Sequence, residues 1–95
     1  GHARSQHNLG LMLLKRGQEK ADPLSLAEAE KHLRIALKLM PTDALTHFSL
    51  ANALLAQGKK DEALVLLRRA DSLGGDRPAL QKKIRAKIES LRQSN

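Results

Sequence analysis

The sequence predicts an all-α fold in which about five helices stack as antiparallel pairs into a helical-repeat array. Three observations support this prediction. Residues that favour helices, above all Leu, Ala and Lys, dominate the 95 residues, whereas the aromatic residues that sheets favour are reduced to a single Phe. Gly, Pro and capping residues divide the chain into five segments. A group of residues in the middle of the chain also recurs with a fixed period.

Length and composition limit what the protein can be. A chain of 95 residues has room for one domain, and 41% hydrophobic with 28% charged residues is the balance of a globular protein. The absence of Cys excludes disulfides and Cys-based zinc sites. No apolar stretch approaches the roughly 18 residues of a membrane-spanning helix. We expect one domain over residues 1–95 in a cytoplasmic protein, and the start without Met suggests a segment of a longer protein.

Local signals place the first two helices. The first is predicted over about residues 5–16 and ends at Gly17. Asp22-Pro23 offers an N-cap followed by a proline, which is favoured in the first helical position because its missing N–H costs nothing there. Ser25 and Glu28 have the spacing of a capping box. The second helix is therefore predicted to extend to about residue 39.

Similar signals place the remaining helices. Thr42 or Asp43 is the predicted cap of the third helix, and Gly58 permits a left-handed turn after it. Gly74-Gly75 ends the fourth helix, and Asp76 is the predicted cap of the fifth. The third, fourth and fifth helices are predicted over about residues 44–56, 60–73 and 77–93.

The recurring residues lie in the second and fourth helices. Six residues reappear 34 positions later, and six matches within a dozen positions are poorly explained by chance. Glu28, Ala29, Leu33, Arg34, Ala36 and Leu39 recur as Glu62, Ala63, Leu67, Arg68, Ala70 and Leu73.

This pattern resembles the tetratricopeptide repeat, a helix–turn–helix unit of 34 residues. The second repeat holds His47, Leu50-Ala51, Leu54, Ala63, Leu67, Ala70 and Gly75 at the motif positions. The first repeat holds Gln6, Leu9-Gly10, Leu13, Ala29, Leu33, Ala36 and Pro41. Leu9 and Leu50 are 41 residues apart, so the first repeat carries about seven extra residues between Gly17 and Ala29. The aromatic residues of the motif are all replaced here.

The resemblance implies a short right-handed superhelix of antiparallel helix pairs. The first repeat covers about residues 4–41 with an insertion near 18–24, and the second covers about 44–76. The last helix, about 77–93, has a narrow apolar stripe and is predicted to cap the array. That stripe consists of Leu80, Ile84, Ile88 and Leu91.

The third helix has more apolar surface than folding requires. His47, Leu50 and Leu54 form the stripe that the repeat needs for its core. A second apolar stripe lies on another face of the same helix and consists of Leu45, Phe48 and Leu55, with Asn52 among them. By resemblance, the first helices of successive repeats line a concave groove that binds a protein or peptide. The predicted partner-binding residues are His7, Leu11, Leu14, Leu45, Phe48, Asn52, Leu55, Lys82 and Lys83. Alternatively, the second stripe packs on the inserted segment, on Leu24 or on further repeats.

Charge favours an acidic or amphipathic partner, because the chain carries +7 and its last stretch from residue 76 is strongly basic. Exposed apolar surface in so short an array is also compatible with self-association. The alternative function is nonspecific nucleic-acid binding by the basic last helix, against which the near absence of aromatic residues argues. No catalytic, metal-binding or cofactor motif is present, and we expect His32 to form only a surface pair with Glu28. The sequence therefore predicts a non-catalytic scaffold or adaptor without cofactors.

Overall fold

The computed structural model describes residues 2–93, and these residues form five α-helices. The helices are α1 (His2–Lys20), α2 (Pro23–Leu39), α3 (Ala44–Ala56), α4 (Lys60–Leu73) and α5 (Pro78–Gln93). Each helix packs on the next, and α1 also contacts α3. The predicted all-α array of helix pairs is confirmed, while the handedness of its superhelix stays a prediction.

Aspartate side chains cap the N-termini of α2 and α3. The Asp22 carboxylate accepts hydrogen bonds from the N–H of Leu24 at 3.1 Å and the hydroxyl of Ser25 at 2.8 Å. Ser25 thus lies inside the first turn of α2, so the predicted capping box between Ser25 and Glu28 is wrong. Asp43, one of the two predicted caps, begins α3 by accepting the N–H of Thr46 at 3.0 Å.

The cap prediction for α5 is wrong. Helix α5 begins at Pro78, and the N–H of Gln81 donates to the carbonyl of Arg77 at 2.9 Å. Arg77 therefore occupies the N-cap position that was predicted for Asp76.

Gly17 does not end the first helix, which continues to Lys20. A Cβ atom on Gly17 would lie 2.6 Å from Cδ2 of Leu26, so this glycine lets α2 pack closely against α1. The chain reverses instead at Ala21, whose φ of 49° is left-handed, and the N–H of Asp22 donates to the Gly17 carbonyl at 3.0 Å. This bond closes a C-terminal cap of the Schellman type, with alanine in the position that glycine usually takes.

The extra residues of the first repeat lengthen its helices. By the 41-residue offset, α1 extends five residues beyond the end of α3, and by the 34-residue offset α2 begins three residues before the start of α4. The connection between α1 and α2 has two residues, against three between α3 and α4. These differences account for the seven extra residues, so the insertion is helical and not a loop.

Large aliphatic side chains and small alanines form the core. Leu33, Leu50, Leu54, Leu67 and Ile84 are fully buried. The repeated alanines at residues 29, 36, 63 and 70 are also fully buried, which allows the helices to approach closely. His47 is a core residue, as predicted, and its Nδ1 donates to the carbonyl of Asp43 at 2.9 Å.

Polar contacts tie the first repeat to the second. Glu30 of α2 accepts hydrogen bonds from Arg34 at 2.7 Å, from Gln57 at 2.8 Å and from Lys59 at 3.1 Å. Partial burial raises the pKa of the Glu30 carboxyl, but these three donors outweigh burial and hold it below its ordinary value. Arg34 also reaches Glu62 of α4 at 2.9 Å. The two repeats are therefore joined by a connected network along one edge.

Two further expectations can be compared with the structure. His32 does not pair with Glu28, because its Nδ1 donates to Oε1 of Gln6 at 2.7 Å and so joins α2 to α1. None of the helices in residues 2–93 combines the length and the apolar character that a membrane span requires.

Candidate partner-binding groove

A groove runs between α3 and α5. Its first part, of about 410 Å³, lies where the two helices begin and is lined by Leu45 with residues 77–80. Its second part, of about 380 Å³, lies further along both helices. Phe48, Lys83, Ala86, Lys87 and Ser90 line that second part. We call the two parts together the α3–α5 groove.

Phe48 forms the apolar wall of the groove. The ring is half-buried and packs against the core on one side, while its other side faces the groove. Ala86 opposite Phe48 is small, which leaves the space open. An aromatic ring with one supported side and one open side is the arrangement of an anchor at a protein interface.

The polar wall of the groove is positively charged. Lys83 and Lys87 of α5 are in no ion pair within 4.0 Å among residues 2–93. Arg77 lies at the beginning of the groove, where its guanidinium is 3.6 Å from the Asp43 carboxylate. Two ammonium groups thus stand beside Phe48 without a carboxylate to neutralise them.

The net charge of the protein is distributed unevenly among its helices. Helices α1, α3 and α5 together carry nine Lys or Arg and two Glu residues. The rest of the chain carries eight Lys or Arg and eight Asp or Glu residues, so it is neutral. The whole formal charge of +7 therefore lies on α1, α3 and α5, and the field of these helices attracts acidic ligands.

The corresponding space between α1 and α3 is closed. His7 holds the position in α1 that Phe48 holds in α3, and Ser49 corresponds in the same way to Lys83. His7 Nε2 and Ser49 Oγ are hydrogen-bonded at 2.9 Å, and both side chains are buried. Burial lowers the pKa of His7, more than the charge of Asp43 raises it. The neutral His7–Ser49 pair therefore forms a direct contact between α1 and α3, where α3 and α5 leave an open groove.

The structure separates the predicted site residues into three groups. Leu45, Phe48 and Lys83 line the α3–α5 groove. Asn52 and Leu55 are half-buried further along α3, while Leu11 and Lys82 are exposed outside the groove lining. His7 and Leu14 are buried among the helices, so in this structure they offer almost no surface to a partner.

Two further observations concern the predicted apolar stripe. The Oδ1 atom of Asn52 is buried without a hydrogen-bond partner, one helical turn beyond Phe48. One alternative was that the second stripe packs on Leu24. Leu24 is 75% exposed, so it does not cover the stripe.

Sequence reasoning missed residues 77–80, Lys87 and Ser90 and misplaced Lys82. Lys82 is the 34-residue equivalent of Phe48 and therefore seemed to belong to the same surface. A helix inside the array, however, turns different sides to the helices before and after it. The side of α3 that faces α5 therefore holds Leu45 and Phe48, whereas the side of α5 that faces α3 holds Lys83 and Lys87. Which residues of α5 face α3 depends on how α5 is rotated about its axis, and the repeat spacing does not determine that rotation.

Residues 2–93 contain no group of three or more His, Cys, Asp or Glu side chains that could hold a metal ion. A family model described as tetratricopeptide repeat matches residues 25–88, which is about two thirds of the chain. No curated protein and no solved structure matches the sequence. The matched segment includes α3, α4 and most of α5, and therefore the whole lining of the α3–α5 groove except Ser90.

Proposed function

The chain belongs to the tetratricopeptide repeat family, whose members generally mediate protein–protein interactions, and we propose that it is a non-catalytic adaptor. Its ligand is an acidic peptide or helix of a protein partner, which binds in the α3–α5 groove. No cofactor takes part, and a cytoplasmic location stays a prediction.

One observation carries this proposal. Phe48, the single aromatic residue of the chain, faces an open groove beside Lys83 and Lys87, neither of which has a carboxylate partner among residues 2–93. An apolar side chain of the ligand would cover the ring while Asp or Glu residues on either side meet the two lysines. Such buried aromatic anchors commonly contribute about 2 kcal/mol or more to binding.

The size of the groove limits the ligand. The lining of α5 extends from Pro78 to Ser90, which at 1.5 Å per residue is about 18 Å. About five or six residues of an extended peptide, or about 12 residues of a helix, would cover that length. The ligand is therefore a short linear segment. The surface of a large rigid domain would contact only the edges of the groove.

A displayed library of random 15-residue peptides tests the proposal. We expect the selected peptides to combine Asp or Glu with a Leu, Ile or Phe. They should bind the Phe48→Ala variant at least about 30-fold more weakly, which corresponds to the anchor energy above. The matched control is Val65→Ala, which truncates an apolar side chain that is 68% exposed on α4 outside the groove and should leave binding unchanged.

The position of the bound peptides completes the test. Chemical shifts of backbone amides should change along α3 and α5 and remain constant in α2. Peptides that carry no acidic residues, or that shift α2 and bind Phe48→Ala as tightly as the unmodified chain, would refute the assignment of the groove.

A further inference from the structure

A separate hollow lies between α3 and α4 and shares no lining residue with the α3–α5 groove. It has a volume of about 510 Å³, and His47 lines it from α3. The residues of α4 that line it are Val65, Leu66, Arg68, Arg69 and Ser72. All of these except Leu66 follow one another at spacings of three, one and three residues, so they lie along one side of α4. We call this space the α3–α4 hollow.

Packing of one repeat on the next leaves this side of the helix largely open. At an offset of 34, the four positions correspond to residues of α2, on which α3 packs. Ile35 is half-buried, and the other three residues are exposed. These three are Lys31, Arg34 and Lys38. The hollow therefore belongs to the surface of a single repeat.

The two arginines of the hollow have no carboxylate partner. In α2, Arg34 binds Glu30, which lies one helical turn before it, at 2.7 Å. Arg68 holds the equivalent place in α4, but Leu64 stands where the glutamate would be. Neither Arg68 nor Arg69 forms an ion pair within 4.0 Å in residues 2–93.

The acidic residues of α4 itself are engaged or distant. Glu62 and Asp71 are in ion pairs with arginines of other helices, at 2.9 and 3.0 Å. Asp61 lies seven residues before Arg68, which is about 10 Å along the helix axis. The positive charge of the hollow is therefore open to a ligand.

His47 adds an unpartnered nitrogen to the hollow. Its side chain is 5% exposed, and its Nδ1 donates to the Asp43 carbonyl at 2.9 Å. In the neutral ring the proton is therefore on Nδ1, and Nε2 has a lone pair without a hydrogen-bond partner in residues 2–93. The Oδ1 atom of Asn52 is the single unpartnered side-chain atom of the described chain that is completely buried, so Nε2 keeps some open surface.

The first repeat closes the equivalent position with a hydrogen bond. Gln6 corresponds to His47, and His32 corresponds to Leu66. Gln6 and His32 are joined at 2.7 Å between α1 and α2. Leu66 has no polar atom in its side chain, so in the second repeat the polar atom of α3 is left for a ligand.

We propose that the α3–α4 hollow binds a phosphate monoester, carried by a phosphorylated serine or threonine of a protein partner. Arg68 and Arg69 donate to the phosphate oxygens, because the guanidinium fork matches phosphate geometry. The Ser72 hydroxyl, which has no partner in residues 2–93, adds a further donor.

The lone pair of His47 Nε2 favours phosphate over a carboxylate. A phosphate monoester loses its second proton at about pH 6, so one proton can be shared between a phosphate oxygen and Nε2. The carboxylate of Asp or Glu brings no such hydrogen to a neutral imidazole.

Val65 favours a peptide as the carrier of the phosphate. Its side chain is 68% exposed in the lining of the hollow, next to the half-buried Leu66. An apolar residue beside the phosphorylated side chain would cover Val65, whereas a free phosphate ion would leave it in water.

Fluorescence anisotropy with three matched peptides tests the proposal. The peptides share one sequence and carry a leucine beside a central phosphoserine, glutamate or serine. We expect the phosphoserine peptide to bind at least about 10-fold more tightly than the glutamate peptide, and the serine peptide to bind most weakly. Equal affinities of the three peptides would overturn the proposal. Inorganic phosphate that competes as well as the peptide, or tighter binding to vesicles that contain phosphatidic acid, would overturn the assignment of a peptide carrier.

Arg16 supplies a matched control for charge. Arg68→Gln and Arg69→Gln alter exposed residues and should each weaken the phosphoserine peptide at least about 10-fold. Arg16→Gln removes the same charge from α1, at an exposed arginine that also forms no ion pair within 4.0 Å in the described chain. It should change the affinity less than about twofold, since it touches only the general field. Equal losses in the three variants would show attraction by net charge and no site.

The imidazole of His47 gives a direct signature of the site. Its Nε2 nitrogen-15 signal should move when the phosphoserine peptide binds, whereas the signal of His32, which is held by Gln6, should not. Peptides selected for the α3–α5 groove should not displace the phosphoserine peptide, because the two linings share no residue. An unchanged His47 signal, or displacement by a groove peptide, would place the phosphopeptide elsewhere and refute the assignment.

Discussion

Replacing Gly10 by alanine should destabilise the protein, although alanine is the better helix former. A Cβ atom on Gly10 would lie 2.6 Å from Cγ and 2.8 Å from Cδ2 of Leu33. Ordinary contacts begin at 3.4 Å, so Leu33 would have to retreat by about 0.8 Å. Leu33 is fully buried in the core, so its displacement would disturb the residues packed around it.

Two opposing effects set the magnitude. Alanine in a helix interior is favoured over glycine by about 1 kcal/mol. Overpacking of a dense core typically costs about 1–3 kcal/mol, and a displacement this large at a fully buried residue belongs in the upper part of that range. We therefore expect Gly10→Ala to lower the free energy of unfolding by about 1–2 kcal/mol, and the melting temperature by about 5–10 °C.

A double-mutant cycle with Leu33→Ala isolates the cause. Without the Leu33 side chain, the nearest atom to the new methyl group is the Ala29 carbonyl oxygen at 3.4 Å, which is an ordinary van der Waals contact. In that background Gly10→Ala should stabilise the protein by about 1 kcal/mol, so the sign of its effect reverses. Urea titrations followed by far-UV circular dichroism at low temperature measure all four proteins.

Gly75→Ala is the control for glycine replacement as such. No atom lies within 4 Å of a Cβ at Gly75, and its φ is not left-handed, so the free energy should change by less than about 0.5 kcal/mol. If Gly10→Ala destabilises the protein equally with and without the Leu33 side chain, the close approach of α1 and α2 described above is not the reason for this glycine.

Four more predictions concern binding, charge, pH and the α1–α2 turn. Phe48→Ala should weaken binding of the selected peptides by about 2 kcal/mol or more and lower the melting temperature less than Leu54→Ala, which truncates a fully buried residue. Lys83→Glu should weaken the binding of those peptides, and the loss of affinity should be smaller at high salt. Tight, salt-sensitive binding of an oligonucleotide would instead support the nucleic-acid alternative. Unfolded His7 binds its proton near pH 6.5 and folded His7 only at lower pH, so urea titrations should show stability falling below about pH 6.5, and less so in His7→Gln. Ala21→Gly should raise the free energy of unfolding by about 1 kcal/mol, because only glycine adopts a φ of 49° without strain.

The helix boundaries that the sequence predicted well depend on local chemistry. Asp22 and Asp43 begin helices because a carboxylate satisfies free N–H groups within two or three residues, wherever the helix packs. Gly58 has the predicted left-handed φ of 80° for an equally local reason. Gly17 was misread because glycine also serves close packing, and its contact with Leu26 exists only after α2 has folded back on α1.

The candidate groove was predictable in part, for a related reason. A surplus apolar stripe can be read from one helix alone, so Leu45 and Phe48 were identified from periodicity. The opposite wall depends on the rotation of α5, which periodicity leaves open, and Lys87 was therefore missed. The burial of His7 depends on a hydrogen bond to Ser49, 42 residues away, and no local pattern indicates that bond.

Leu9 and Leu11 show why equal exposure does not imply one surface. Their exposed fractions are nearly the same, yet two residues along a helix correspond to a rotation of about 200°, so they face almost opposite directions.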